Sequence, residues 1–109
     1  MESTERITKA ILKFRDERDW EQFHNPKDLA LALNIESGEL LESFLWKKSE
    51  EAKVDKVKEE LADVLIYAFL MAKKYGFDIE EIIMEKLNSN SKKYPVDKAK
   101  GSAKKYTEL

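Results

Sequence analysis

Two acidic pairs dominate the chemistry this sequence could do. Glu36 and Glu39 interrupt an otherwise apolar run, Leu29 to Trp46, that contains no Lys or Arg. Glu60 and Asp63 open a second run, Leu61 to Ala72, in which Asp63 is the only charge. Ionised carboxylates are costly in apolar surroundings unless positive charge sits among them. With no basic side chain inside either run, a metal ion is the natural counter-charge. Residues three apart on a helix have Cβ atoms roughly 5–6 Å from each other. Each pair therefore projects from one helical face, and two such helices packed antiparallel bring four carboxylates together. An all-oxygen donor set suits Mg²⁺, or Mn²⁺, over zinc or copper, and points to phosphate chemistry. Glu42 continues the first series as a third ligand, a supporting group or a base for water. The same spacing recurs at Glu2/Glu5 and Asp16/Asp19, but there basic neighbours make a solvated face the simpler explanation.

Aromatic residues accompany the acids. Trp46 lies seven residues after Glu39, and Tyr67 seven after Glu60, about two turns of helix. An anion-binding end beside a stacking end fits a nucleotide, because base–aromatic stacking tolerates base identity; otherwise both are ordinary core residues. In the last predicted helix Ile79, Ile82, Ile83 and Leu87 form the apolar stripe, and Lys86 and Asn90 fall on its inward side. Lys86 either meets phosphate or extends from the edge of a core. Lys92, Lys93, Lys98, Lys100, Lys104 and Lys105 make the C-terminal segment basic, either as a solvated run or as a segment that closes over a polyphosphate.

Helices must position these groups. Three Gly and two Pro in 109 residues, with 39% charged and 42% hydrophobic, is a composition for long helices and an all-α fold. The spacing predicts a first helix from Thr4 to Phe23, capped by Ser3 or Thr4. A second runs from Pro26 to Lys47, with Pro26 at its first position. A third runs from Val54 to Tyr75, closed by Gly76, and a fourth from Asp78 to Lys93, with Asp78 as N-cap. Lys47 to Lys53 reads as a loop. Pro95 follows the fourth helix, so a helical domain over residues 1–95 and a Lys-rich tail, 96–109, extended or partly mobile, are expected. Apolar residues on nearly every side mark the second helix as buried. Gly38, a poor helix former between two Glu, suggests close approach by another helix or a ligand. Helices two and three carry more apolar surface than one short chain can cover, which predicts a homo-oligomer, with a tetramer the leading arrangement.

Composition also excludes. A net charge of −2 from 20 basic and 22 acidic residues leaves no electrostatic footprint for duplex nucleic acid. No Cys is present, and one His, which excludes disulfides, thiolate catalysis, zinc–sulfur sites and a multi-histidine metal site. No secretory h-region or unbroken apolar run of about 18 residues occurs, so no membrane partner is expected and the cytoplasm is the expected location.

Several runs together carry a family likeness: RDWEQFH (Arg18 to His24), ESGELLESFLWK (Glu36 to Lys47), EELADVLIY (Glu59 to Tyr67), the spacing K-x-x-x-N-x-x-K-Y-P (Lys86 to Pro95) and the terminal KYTEL. From about Phe14 to Leu109 the chain resembles the all-α nucleoside triphosphate pyrophosphohydrolases of the MazG type, and within them the dCTP pyrophosphatase branch. The resemblance implies a four-helix chain that assembles into a homotetramer, a dimer of dimers. It implies Mg-dependent conversion of a nucleoside triphosphate and water to monophosphate and pyrophosphate, and a role in clearing the nucleotide pool. Glu36, Glu39, Glu60 and Asp63 match the metal ligands, Trp20, Trp46 and Tyr67 the base pocket, and Lys86 and Asn90, with Lys93 and Tyr94 of the same signature, positions that meet the substrate. Glu36, Glu39, Glu42 and Lys86 are the catalytic candidates. Ile35 replaces a Gly or Glu common before the first ligand. Ile11 stands where animal members carry a polar residue near the base, which bears on base preference. A dATP-preferring or broader triphosphate hydrolase and a non-catalytic helical module are the alternatives.

Overall fold

The computed structural model describes residues 2–109. Those residues form α1 (Glu2–Glu17), α2 (Pro26–Glu42), α3 (Val54–Tyr75), α4 (Ile79–Lys93) and a short α5 (Val96–Ala99), with 3-10 turns at Glu21–Phe23, Ser49–Glu51 and Tyr106–Glu108. No strand occurs among the described residues, as expected of an all-α chain. Two compact units result, one ending at Phe77 and one comprising Asp78–Leu109.

Local chemistry sets most helix ends in the first unit. Asn25 caps α2: its Oδ1 accepts from the Asp28 amide at 2.9 Å while its Nδ2 donates to Asp28 Oδ2 at 2.7 Å, and Pro26 takes the first turn. Gly76, at φ 72°, closes α3, with the Phe77 amide reaching back to the Ala72 carbonyl at 2.8 Å; this is the left-handed stop that glycine permits.

Three boundaries differ from expectation. α1 begins at Glu2, so Ser3 and Thr4 lie inside it rather than capping it. It ends at Glu17, not Phe23, because Asp19 turns left-handed (φ 54°) and Gln22 Nε2 donates to both the carbonyl and the carboxylate of Asp19. These local bonds compete with helix continuation. α2 stops at Glu42, not Lys47. From Ser43 to Leu45 the amides bond to carbonyls three residues back, and Trp46 then turns left-handed at φ 60°.

α2 packs chiefly on α3, and α1 also rests on α3. Leu29, 1% exposed, is the centre of a small core with Leu70 and Ala72. Within one chain α2 is therefore not a buried helix: Leu31, Ile35 and Leu41 are exposed, as are Leu61 and Leu65 of α3. Nor does anything approach Gly38, where an added Cβ would have no atom within 4 Å.

In the second unit Asp78 caps α4 by accepting from the Glu81 amide at 2.8 Å. The C-terminal segment is not an extended tail. The Tyr106 ring meets the edge of Tyr94, centroids 5.9 Å apart, and Lys93 Nζ lies 4.9 Å over Tyr106.

Opposite outcomes are expected at two glycines. Gly76→Ala places a Cβ in a left-handed residue and is expected to cost about 1–2 kcal/mol in urea unfolding. Gly38→Ala meets open space inside a helix and is expected to stabilise by about 1 kcal/mol. A destabilising Gly38→Ala would mean that a second copy or a ligand lies against this position.

Candidate active site

α2 and α3 bring acids from both pairs to one place. One carboxylate oxygen from each of Glu36, Glu60 and Asp63 lies within 4.8 Å of the others. Glu60 is buried, 6% exposed, and Glu36 is half-buried. Oε2 of Glu36 and Oε2 of Glu60 are buried with no hydrogen-bond partner. A buried acceptor left unsatisfied is expensive, more so when charged. Glu39 is not one of the three converging groups, but it borders them: Glu36, when protonated, hydrogen-bonds to it. Burial first, then Glu39, Asp63 and Glu60, raise the Glu36 carboxyl to about 7. Adjacent carboxylates disfavour one another's ionisation in this way. Tyr67 follows Asp63 by one turn of α3. Its phenol is raised by burial and then by the charges of Glu36, Asp63 and Glu39, so the ring stands within the field of the cluster.

The expectation that no basic side chain is at hand needs correction. Lys56, one turn before Glu60 on α3, places Nζ 2.6 Å from Glu60 Oε1. The hydrogen bond and charge of Glu60 raise the Lys56 ammonium, against a smaller opposing effect of burial, with Glu59 and Glu39 adding to the negative field. Lys56 lies outside the apolar runs, which is why a search confined to them misses it, although the K-x-x-x-E spacing is legible. Ser43 was also missed. Its Oγ is buried without a partner just beyond α2, and no sequence signal marks it, because its burial depends on where that helix stops.

The aromatic candidates separate. Trp46 does not continue the face of Glu39, since the helix ends before it; it is 94% exposed in a left-handed turn. Trp20 lies beyond α1 with its ring edge-on to Phe14, centroids 5.7 Å apart. Glu42 is the last residue of α2 and exposed. Lys86, Asn90, Lys93 and Tyr94 belong to the second unit; Lys86 is exposed and Asn90 half-buried.

Three converging carboxylates with two orphaned oxygens are a donor set for a hard divalent cation. They suit Mg²⁺ or Mn²⁺, whose ligands are oxygens and which bind phosphates alongside one or two carboxylates. The imidazole of His24, whose Nδ1 is also buried without a partner, is lowered from its ordinary value by burial and then by Arg15 and Lys74, against a smaller opposing effect of Glu21.

A family model described as the MazG-like family matches residues 31–109. The dCTP pyrophosphatase 1 of Bos taurus is 42% identical over 113 residues, covering 96% of this chain and 67% of that protein. That of Homo sapiens is 41% identical, covering 96% and 66%. The chain thus spans about two thirds of the length of these relatives. A solved pyrophosphatase from Archaeoglobus fulgidus shares the fold with a TM-score of 0.78 at 37% identity, over 84% of this chain and 91% of that one. No helix among the described residues is long and apolar enough to cross a membrane.

The raised Glu36 carboxyl has a consequence for metal-free stability. Between the ordinary carboxyl value of 4.5 and about 7 the folded chain keeps a proton that the unfolded chain has released. Stability therefore falls as pH rises through that window. Thermal unfolding of the metal-free protein is expected to show this decline, and Glu36→Gln to lack that component. Parallel curves for the two proteins would contradict the assignment.

Proposed function

This chain belongs to the MazG-like family, and we propose that it hydrolyses dCTP or a modified dCTP to the monophosphate and pyrophosphate, with Mg²⁺ as cofactor. The observation that carries this reading is the convergence of Glu36, Glu60 and Asp63 with two orphaned buried oxygens. These three, with Glu39 beside them, would hold the metal. Bound Mg²⁺ supplies charge neutralisation at phosphate and a more acidic water. Glu39 and Glu42, three residues apart on α2, are the carboxylates available to take the proton of the attacking water.

Trp46 is assigned the base. A left-handed backbone costs a bulky L-residue roughly 1–2 kcal/mol, and the indole recovers little of it by packing, being 94% exposed. Strain of this kind concentrates at ligand clamps. Tyr67, in the field of the acids, and Trp20 complete the base contacts. Lys86, Asn90, Lys93 and Tyr94 are assigned phosphate and sugar on their chemistry and motif. The exposed apolar residues of α2 and α3 are assigned to contacts between copies, in a homotetramer built as a dimer of dimers. A nucleotide-pool substrate makes the cytoplasm the place of action.

Hydrolysis of dCTP in ¹⁸O-labelled water is expected to put the label in dCMP and none in pyrophosphate. dCDP with orthophosphate would be incompatible with this reaction. In a panel of dCTP, 5-methyl-dCTP and dATP, preference for dATP would replace the substrate assignment. Glu39→Gln is expected to lower turnover by a hundredfold or more, on the order of removing one catalytic group, while leaving the metal-free fold at least as stable.

Light scattering at micromolar concentration is expected to return a tetramer. A stable monomer would overturn the assembly without touching the chemistry.

A further inference from the structure

Lys56 has no part in the chemistry above, yet it touches the most buried acid of the cluster. Its Nζ lies 2.6 Å from Glu60 Oε1; the Glu60 side chain is 8% exposed and that of Lys56 is 54% exposed. The pair is four residues apart with Lys on the N-terminal side, the weaker order for a helix-stabilising pair. Helix propensity is therefore a poor reason for it, and the concentrated negative charge of Glu36, Glu60 and Asp63 is a better one. The ammonium also leaves the site incompletely served, since Oε2 of Glu60 and Oε2 of Glu36 remain buried and unpartnered. A monovalent group that donates to one carboxylate does only part of what a divalent ion with several oxygen ligands does. With its long aliphatic stem half in solvent, Lys56 can release Glu60 and keep its charge hydrated.

We propose that Lys56 is a tethered competitor for the metal: its ammonium holds Glu60 in the metal-free chain, a divalent cation displaces it, and Lys56 thereby sets the metal affinity of the site. This rests on reading the acidic cluster as a metal site. Removing the ammonium abolishes an ion pair that metal must break and a positive charge that metal must approach. Both effects act in the same direction.

Calorimetric titration of the full chain with Mn²⁺ tests it. Lys56→Met, which keeps the stem, is expected to bind Mn²⁺ roughly three- to tenfold tighter than wild type, the worth of a half-exposed pair plus the removed repulsion. Its metal-free form is expected to melt lower than wild type, and the Mn²⁺-saturated forms to melt alike. Equal or weaker Mn²⁺ binding by Lys56→Met would overturn the proposal while the metal site stands. Absence of Mn²⁺ binding in wild type, or binding undiminished in Glu60→Gln, would overturn the metal site and this proposal with it. A measurement on wild type does not depend on the variant folding. Acetylation of lysines by an N-hydroxysuccinimide ester, read by mass spectrometry, should become faster at Lys56 on adding Mn²⁺ and stay constant at Lys9 and Lys13 of α1. Unchanged Lys56 labelling at saturating Mn²⁺ also overturns the proposal.

Discussion

The helix pair whose apolar contact makes the core also carries carboxylates that repel one another. Leu29 on α2 and Leu70 and Ala72 on α3 are drawn out of water, and the same packing holds Glu36, Glu60 and Asp63 within 4.8 Å. Two unit charges about 5 Å apart repel by on the order of 3 kcal/mol at an effective dielectric constant near 20. An i,i+4 ion pair is worth roughly 0.3–0.5 kcal/mol, so Lys56 alone does not offset that repulsion. The remaining routes are a proton kept on Glu36 or a cation of higher charge. Each element around the pair maintains this tension: the Asn25 cap fixes where α2 begins, the unbroken α3 keeps Lys56, Glu60, Asp63 and Tyr67 in register, and α1 rests on α3.

A chance E-x-x-E pattern would look different. On an exposed face, each oxygen has water or a neighbouring Lys, and nothing is gained by removing it from solvent. Here Oε2 of Glu36 and Oε2 of Glu60 are buried without partners, and Lys56 meets only the other oxygen of Glu60. Stability has been spent on leaving them unpaired, as is common where a ligand completes a site.

Much of this was legible in the sequence wherever the deciding chemistry is local. Pro26, Gly76 and Asp78 mark their helix ends because the deciding contacts lie within a few residues, and of the four spaced acids Glu36, Glu60 and Asp63 come together while Glu39 only borders them. The ends of α1 and α2 were not legible, because Asp19 and Trp46 enter the left-handed region with no glycine to announce it. The coverage of α2 is legible only in part. Apolar residues on every side say that surface will be hidden, but not whether the same chain hides it. Leu31, Ile35 and Leu41 show that it does not. Lys56 was visible at K-x-x-x-E spacing from Glu60, but the weight of that pair depends on the burial of Glu60, which the spacing does not state.

The turn that ends α2 leaves the two indoles of this protein exposed to water to different degrees. Trp46 projects into water with almost its whole surface, whereas Trp20, itself 43% exposed, has part of its ring set edge-on to Phe14. Indole emission shifts to the red and is quenched by dissolved ions as water gains access, so the two contribute separable parts of one spectrum. The blue part reports on the end of α1, and the red, quenchable part reports on whatever comes to rest over the end of α2. The chain thus carries two indole reporters, one at the end of α1 and one at the end of α2, with no label attached.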